Sequence, residues 1–553
     1  MKKAFIVLCA LAQAALFIPS CQKAREGESS CPPGQTITFR ARLPEQDGDA
    51  TKAGFGTPIV SAYPVLWDRT DVAAVTVDYA VKPVSAAITP LGNARTGTFS
   101  ATLGVLSSES TVQAVVPEWA LVSYNTDDKD ITLNIPASQT PLTTGPDPKA
   151  IQLVANQGLD AVSATDTLVE LPFHHATAYG CVTLKNLPTE AEIHSIDLIF
   201  SVPVTGKWKY KPSVGSMTVD VPANIITLHT STASEVFFGC APAMLEGQAL
   251  KVRLNTSAGI WEKTVNVMDD RQLISGVLAN FIVDMNDAYR KTSIKLLSIG
   301  NSFSLDAHEY LWDIIKSSGD YDNIVLGNLY LGGGTLSTHV KNHVGEVSEY
   351  TYYLNETGKR TTLKEYDLLT ALTGEDWDYI TLQQASGSSG IASTYYPYLD
   401  LLIDIVRAIC PEAKLLWHMT WAYQQDCTLS AFSKYGNDQM VMYEAILSVV
   451  EDVVVPCGAI SEALPVGTAI QNLRTSPLGD TLTRDGCHLS KLGCFAAGLM
   501  WYRALTGKSI DDISDMPHPI IYTEEELLYI KDAIEKAYWN PYTIIPYVMP
   551  FHH

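Results

Sequence analysis

Apolar and polar residues alternate in short runs through the first half of the chain, and the spacing lengthens in the second. From Thr36 to about Met285 the runs have a period of two: Ile37 to Ala41, Val72 to Val77, Thr98 to Leu103, Cys181 to Leu184, Ser195 to Ser201 and Phe281 to Val283. Gly, Pro, Asn and Asp clusters separate them. Short alternating strands between turn residues predict antiparallel β-sandwiches. The Thr/Pro-rich stretch 136–148 has no helical period, and new strands begin near Leu168. Two sandwiches are expected, 36–160 and 161–287.

The pattern changes at 286–293. Ile294 to Ile299 is a continuous apolar run, as in a strand buried on both faces. Leu311, Ile314 and Ile315 share one helical face. Strands are expected at Ile324 to Leu331, Tyr379 to Gln383, Lys414 to Met419 and Asp452 to Val455. Helices are expected at Tyr398 to Ile409, Met440 to Val450 and Tyr522 to Tyr538. Alternation of this kind predicts a parallel sheet covered on both faces over 288–553. Functional groups in such sheets sit at the carboxyl ends of the strands.

Charge and the amino terminus narrow the setting. A formal net charge of -22 over 553 residues argues against nucleic acid, whose binding needs a basic face. Lys2 and Lys3 precede an apolar run from Ala4 to Ile18, which has signal-peptide length. The first 20 residues read as a removable signal and 21–35 as a polar tether. Of ten cysteines, Cys9 leaves with the signal. The others form no CxxC and no Cys/His cluster of zinc spacing, so no metal is expected. Cys487 and Cys494 are expected to pack as small hydrophobes. His174 and His175 read as one packed and one exposed strand residue, with a metal pair as the alternative.

The candidate chemistry lies at strand ends. Gly300-Asn301-Ser302 follows the first apolar strand and opens a helix, so the Ser302 hydroxyl is exposed in a turn. A serine needs a base to act as a nucleophile. Asp485-Gly-Cys-His488 puts an acid three residues before a histidine, close enough for the carboxylate to fix the imidazole tautomer. Leu331-Gly-Gly-Gly-Thr335 follows the second strand, and Gln383-Gln384 ends the third. His339 faces either the cleft or the helix surface; His418 lies at a strand end among the aromatics Trp417, Trp421 and Tyr423, which either stack on a sugar or pack in the core. Asp306 and Glu309 read as helix-start charges.

Taken together, a serine after the first strand and Asp-x-x-His before the last helix resemble the SGNH/GDSL hydrolases. The resemblance implies a three-layer α/β/α domain, with Ser302 as nucleophile, His488 as general base and Asp485 orienting it. It also implies an oxyanion hole from the Ser302 amide, from Gly333 (Gly332 and Gly334 being alternatives), and from Gln383 or Gln384, which stand where many members carry Gly-x-Asn-Asp. No cofactor is implied. The expected substrate is an acylated small molecule or glycan, with removal of acetyl from carbohydrate favoured. Thr51-Lys-Ala53, Trp67 to Asp71 and Leu171 to His175 resemble the fimbrillin-like lipoproteins, and Cys21 after Ile18-Pro-Ser20 resembles a lipobox. These imply a chain lipid-anchored through Cys21 to the bacterial outer membrane, touching membrane through that anchor only. The alternative expectation is a fimbria-like adhesion protein whose last domain only binds carbohydrate.

Overall fold

The computed structural model describes residues 35–43 and 65–548, apart from 81, 93, 104–106, 108, 160–167 and 268–270. The signal, Cys21, almost all of the tether and Thr51-Lys-Ala53 lie outside the described residues. Among those described, no helix is long and apolar enough to cross a membrane.

The amino-terminal half is built of strands. Leu168–His175 lies in the middle of an eight-stranded sheet: it pairs in parallel with Gln35–Arg42 and antiparallel with Leu153–Gly158. Its alternation buries Val169, Leu171 and Phe173 in a core with Phe39, Phe99 and Trp67. The second core, including Val182, Leu198, Phe238 and Leu254, lies between a three-stranded and a six-stranded sheet.

The expected seam near residue 160 is therefore corrected. Leu168–His175, expected to open the second sandwich, completes the first. Asp130–Ile135 pairs with Thr205–Lys211, and Ser138–Gln139 with Ile225–His229, so the segment before residue 160 donates strands to the segment after it. A sheet edge is satisfied by any strand of suitable pattern, whatever its distance along the chain.

Tyr289–Arg290 still pairs with Gly259–Asn266, and Ser293–Gly300 opens a new sheet. Five of its seven strands are parallel. Numbered in chain order (Ser293–Gly300, Asn323–Tyr330, Tyr379–Leu382, Lys414–His418, Glu462–Leu464), they lie side by side as 2-1-3-4-5. The hairpin Tyr350–Asn355 and Arg360–Tyr366 extends the second strand antiparallel.

Right-handed crossovers from strand 1 run in opposite directions to strands 2 and 3, which puts helices on both faces. Ser302–His308, Leu311–Ser317, Val466–Arg474, Lys491–Thr506 and Glu524–Trp539 form one packed group. Leu336–Val344, Leu368–Thr373 and Tyr398–Ile409 form the other.

One expected strand is helical. Val450–Val454 continues the helix Gln439–Val449, and the last parallel strand is Glu462–Leu464. Met442, Ile446, Val449, Val450 and Val453 are buried at helical spacing. Packing of that face overrides the β preference of a valine run, which spans only about 1 kcal/mol.

The β half docks on the amino ends of the parallel strands. Arg253 bridges Glu262 and Asp378, the residue before strand 3, and all three are nearly buried. Asn224 N–H donates to Pro411 O, and Ser138 Oγ to Ser461 O. Asn134 Nδ2 donates to Cys457 O.

Candidate active site

Strand order reverses direction on the two sides of strand 1, and the crevice outside its carboxyl end is where such folds hold ligands. The strand ends in Gly300. Asn301 then caps the helix Ser302–His308, its Oδ1 accepting from Phe303 N–H at 3.0 Å. The same oxygen accepts from Gln383 Nε2 at 2.8 Å, and Asn301 Nδ2 donates to Gly334 O at 3.0 Å. One side chain thus ties together the loops after strands 1, 2 and 3. Ser302, the first residue of the helix, is half-buried.

The structure brings the three expected relay residues together. His488 Nε2 lies 2.9 Å from Ser302 Oγ, and His488 Nδ1 lies 2.7 Å from Asp485 Oδ2. Burial alone would raise the Asp485 pKa. The His488 amide, its imidazole and the Cys487 amide, all hydrogen-bonded to the carboxylate, outweigh that and hold it well below the usual carboxylate range. An ionised Asp485 keeps the proton on Nδ1 and leaves Nε2 as the acceptor facing Ser302.

The loop is rigidly held. Arg484 N–H donates to His488 O at 2.8 Å, closing a small hairpin, and Trp421 Nε1 donates to Cys487 O at 2.7 Å. Gly486 sits at φ +89, and a Cβ there would lie 3.2 Å from Cys427.

Asp306 was expected to be a helix-start charge. It stands one turn after Ser302 on the same helical face, buried. It accepts from Leu489 N–H at 2.9 Å and pairs with Arg484 at 3.0 Å. Burial raises its pKa, against the pull of these partners. Asp306 therefore clips the His488 loop to the helix that carries Ser302.

Asp485, Cys487 and His488 also present ligand atoms within 4.8 Å of one another. His488 Nε2 is engaged with Ser302, and burial pushes the Cys487 thiol up to about 12. With both imidazole nitrogens of His488 engaged, by Ser302 and Asp485, the donor set fits a proton relay.

The glycine block follows strand 2. Gly334 N–H is taken by Leu331 O at 2.9 Å. The N–H groups of Ser302, Gly332 and Gly333 have no acceptor among the described residues. Gly333 has φ +66 with open space beside it, a conformation that favours glycine.

Both glutamines are buried. Gln383 is 1% exposed; its Nε2 donates to Asn301 and its Oε1 accepts from His418 Nδ1 at 2.9 Å. Gln384 Nε2 donates to Thr394, while its Oε1 accepts from Leu336 and Ala385 N–H. Both carboxamides tie loops together, and Gln384 Nε2 is spent on Thr394 while Gln383 Nε2 gives one hydrogen to Asn301. His339 stacks on Tyr350, with Nδ1 3.0 Å from its hydroxyl. Trp417, Trp421 and Tyr423 are buried. All of these belong to the core. His174 is exposed, and His175 packs with Nδ1 2.8 Å from Tyr179 Oη.

The class defined here is a parallel α/β domain with a Ser–His–Asp relay at its switch point, carried on strand-sharing β-sandwiches. Residues 295–532 match DUF4886, a domain of unknown function. The crystal structure of a DUF4886 family protein from Bacteroides uniformis is 35% identical, covering 46% of this chain and 97% of that one, with TM-score 0.44. Through this domain the chain belongs to the DUF4886 family. Candidate cell adhesion proteins from Bacteroides ovatus and Bacteroides uniformis are 12% and 14% identical. They cover 47% and 54% of this chain and 97% and 93% of their own, with TM-scores of 0.28 and 0.27. No curated protein matches.

Proposed function

We propose that the carboxy-terminal domain is a serine esterase resembling the SGNH/GDSL hydrolases. The observation that carries the reading is the continuous relay from Asp485 Oδ2 through His488 to Ser302 Oγ, with contacts of 2.7 and 2.9 Å. His488 Nε2 takes the Ser302 proton as Oγ attacks the ester carbonyl. The amides of Ser302 and Gly333 or Gly332 are the available donors for the oxyanion. Collapse forms acyl-Ser302 and expels the alcohol, which leaves with the proton from His488. Water, deprotonated by the same nitrogen, then attacks the acyl group and releases the acid and free Ser302. The favoured substrate is an acetylated glycan or small molecule, met outside the cell by a chain that is exported and lipidated on Cys21.

The test is turnover of 4-nitrophenyl acetate by the whole chain. Ser302→Ala is expected to lose at least about 10³-fold in kcat with an unchanged melting curve. His488→Ala should lose nearly as much and Asp485→Asn less. Undiminished turnover in Ser302→Ala would remove the nucleophile assignment. A wild-type chain inactive on acetyl esters would favour the second reading, adhesion, which is the role given in the names of the β-rich solved structures.

A further inference from the structure

Beside the Ser302–His308 helix, between it, the strand Asn323–Tyr330 and the 350–366 hairpin, lies a cavity of about 180 Å³. None of Ser302, Asp485 and His488 lines it. Asn328 does, and it is 1% exposed. Its Oδ1 accepts from Ser304 Oγ at 3.0 Å, and its Nδ2 has no hydrogen-bond partner among the described residues. Asn355 also lines the cavity, and its buried Oδ1 has no partner either. A buried donor and a buried acceptor, both unpaired against one space, are costly to a fold unless something in that space satisfies them.

The rest of the lining narrows the occupant. Glu309 and Arg360 form a half-exposed pair at 3.2 Å, the guanidinium also lying 5.0 Å from the Tyr353 ring centroid. Asp313 adds a second acid, whose carboxyl burial shifts upward. Two acids disfavour an anion; Glu309 and Arg360 offset each other, and the two unpaired carboxamide atoms call for a ligand that both accepts and donates hydrogen bonds. The acids and His308 do not converge as a metal shell: the one such cluster among the described residues is at Asp485, Cys487 and His488. The volume is below the roughly 300 Å³ at which drug-sized sites begin. A small neutral molecule that both donates and accepts hydrogen bonds remains.

We propose that this cavity is a subsite for one neutral sugar unit. Adjacent hydroxyls accept from Asn328 Nδ2 and donate to Asn355 Oδ1 and to the Glu309 and Asp313 carboxyls, while Arg360 and Tyr353 close the mouth. Binding here uses none of the reacting groups, so the proposal stands whether or not the domain hydrolyses esters.

The experiment is saturation-transfer NMR on the whole chain with glucose, galactose, mannose, xylose and N-acetylglucosamine, and with glucuronate and glucosamine as charged controls. Transfer to at least one neutral sugar is expected. It should weaken several-fold in both Asn355→Leu and Glu309→Gln, with 4-nitrophenyl acetate turnover unchanged from wild type. If Asn355→Leu fails to melt cooperatively, Glu309→Gln alone decides, since its side chain is at the surface. The proposal is overturned if no neutral sugar shows transfer, the cavity then holding solvent only. It is equally overturned if transfer persists undiminished in the folded variants, or if a charged control matches its neutral counterpart.

Discussion

At the scale of single residues, Asp306 separates what the sequence displays from what it hides. Ser302, Asp485 and His488 are legible because each sits in a turn signal and the Asp-x-x-His spacing is local. Asp306 is not, because its partner Leu489 stands 183 residues away in the chain. Asp306→Ala should lower kcat by about 10²-fold, the cost of a misplacement near 1 Å. KM on a small ester should change little, as Asp306 touches no substrate. Steady-state kinetics beside a melting curve check this, and an unchanged kcat would reduce Asp306 to a fold residue.

A second expectation concerns protons. Burial lowers His308 and His418 to about 3 and His339 to about 4. The folded chain excludes protons that the unfolded chain binds below the ordinary histidine value of about 6.5. Stability is therefore fully present above that value and is lost as pH falls from about 6.5 toward 3 or 4, by up to about 1.4 kcal/mol per pH unit for each histidine. Melting temperatures at neutral and mildly acid pH measure it, and His339→Phe should flatten the slope.

At the scale of elements, alternation and apolar runs located the strands because buried faces leave a period in the sequence. They misread Val450–Val454, where β-branched residues serve a helical face. They also passed over Arg360–Tyr366, an edge strand with every position at least partly exposed and so without an apolar stripe. The glutamines after strand 3 show the same limit: their position was legible, but their partners come from Asn301, His418 and Thr394. The small hairpin that carries His488 depends on Gly486. Gly486→Ala must place a Cβ at positive φ against Cys427, and should lower kcat at least about tenfold while costing about 1 kcal/mol or more of stability. Kinetics and denaturant titration of the variant decide this, and wild-type values for both would show that the loop accommodates the change.

At the scale of the molecule, the sequence pattern predicts two sandwiches with a seam near residue 160, and the structure instead shares strands between them. Strand exchange leaves no compositional mark at a boundary. The carboxy-terminal domain has its own continuous core, and its carboxyl-end loops take no residue from the β half in the contacts described. A fragment from residue 288 onward should keep the whole chain's rate on 4-nitrophenyl acetate but melt lower, because Asp378 loses Arg253 and keeps only Lys291, at 3.0 Å, as its cation. A folded but inactive fragment beside an active whole chain would mean that the sandwiches contribute to catalysis. Docking at the amino ends also leaves the opposite pole of the parallel sheet clear. The crevice where Ser302 and His488 meet lies at the carboxyl ends of those strands, away from the surface on which the sandwiches dock. A bulky molecule can therefore reach that crevice without displacing the β half.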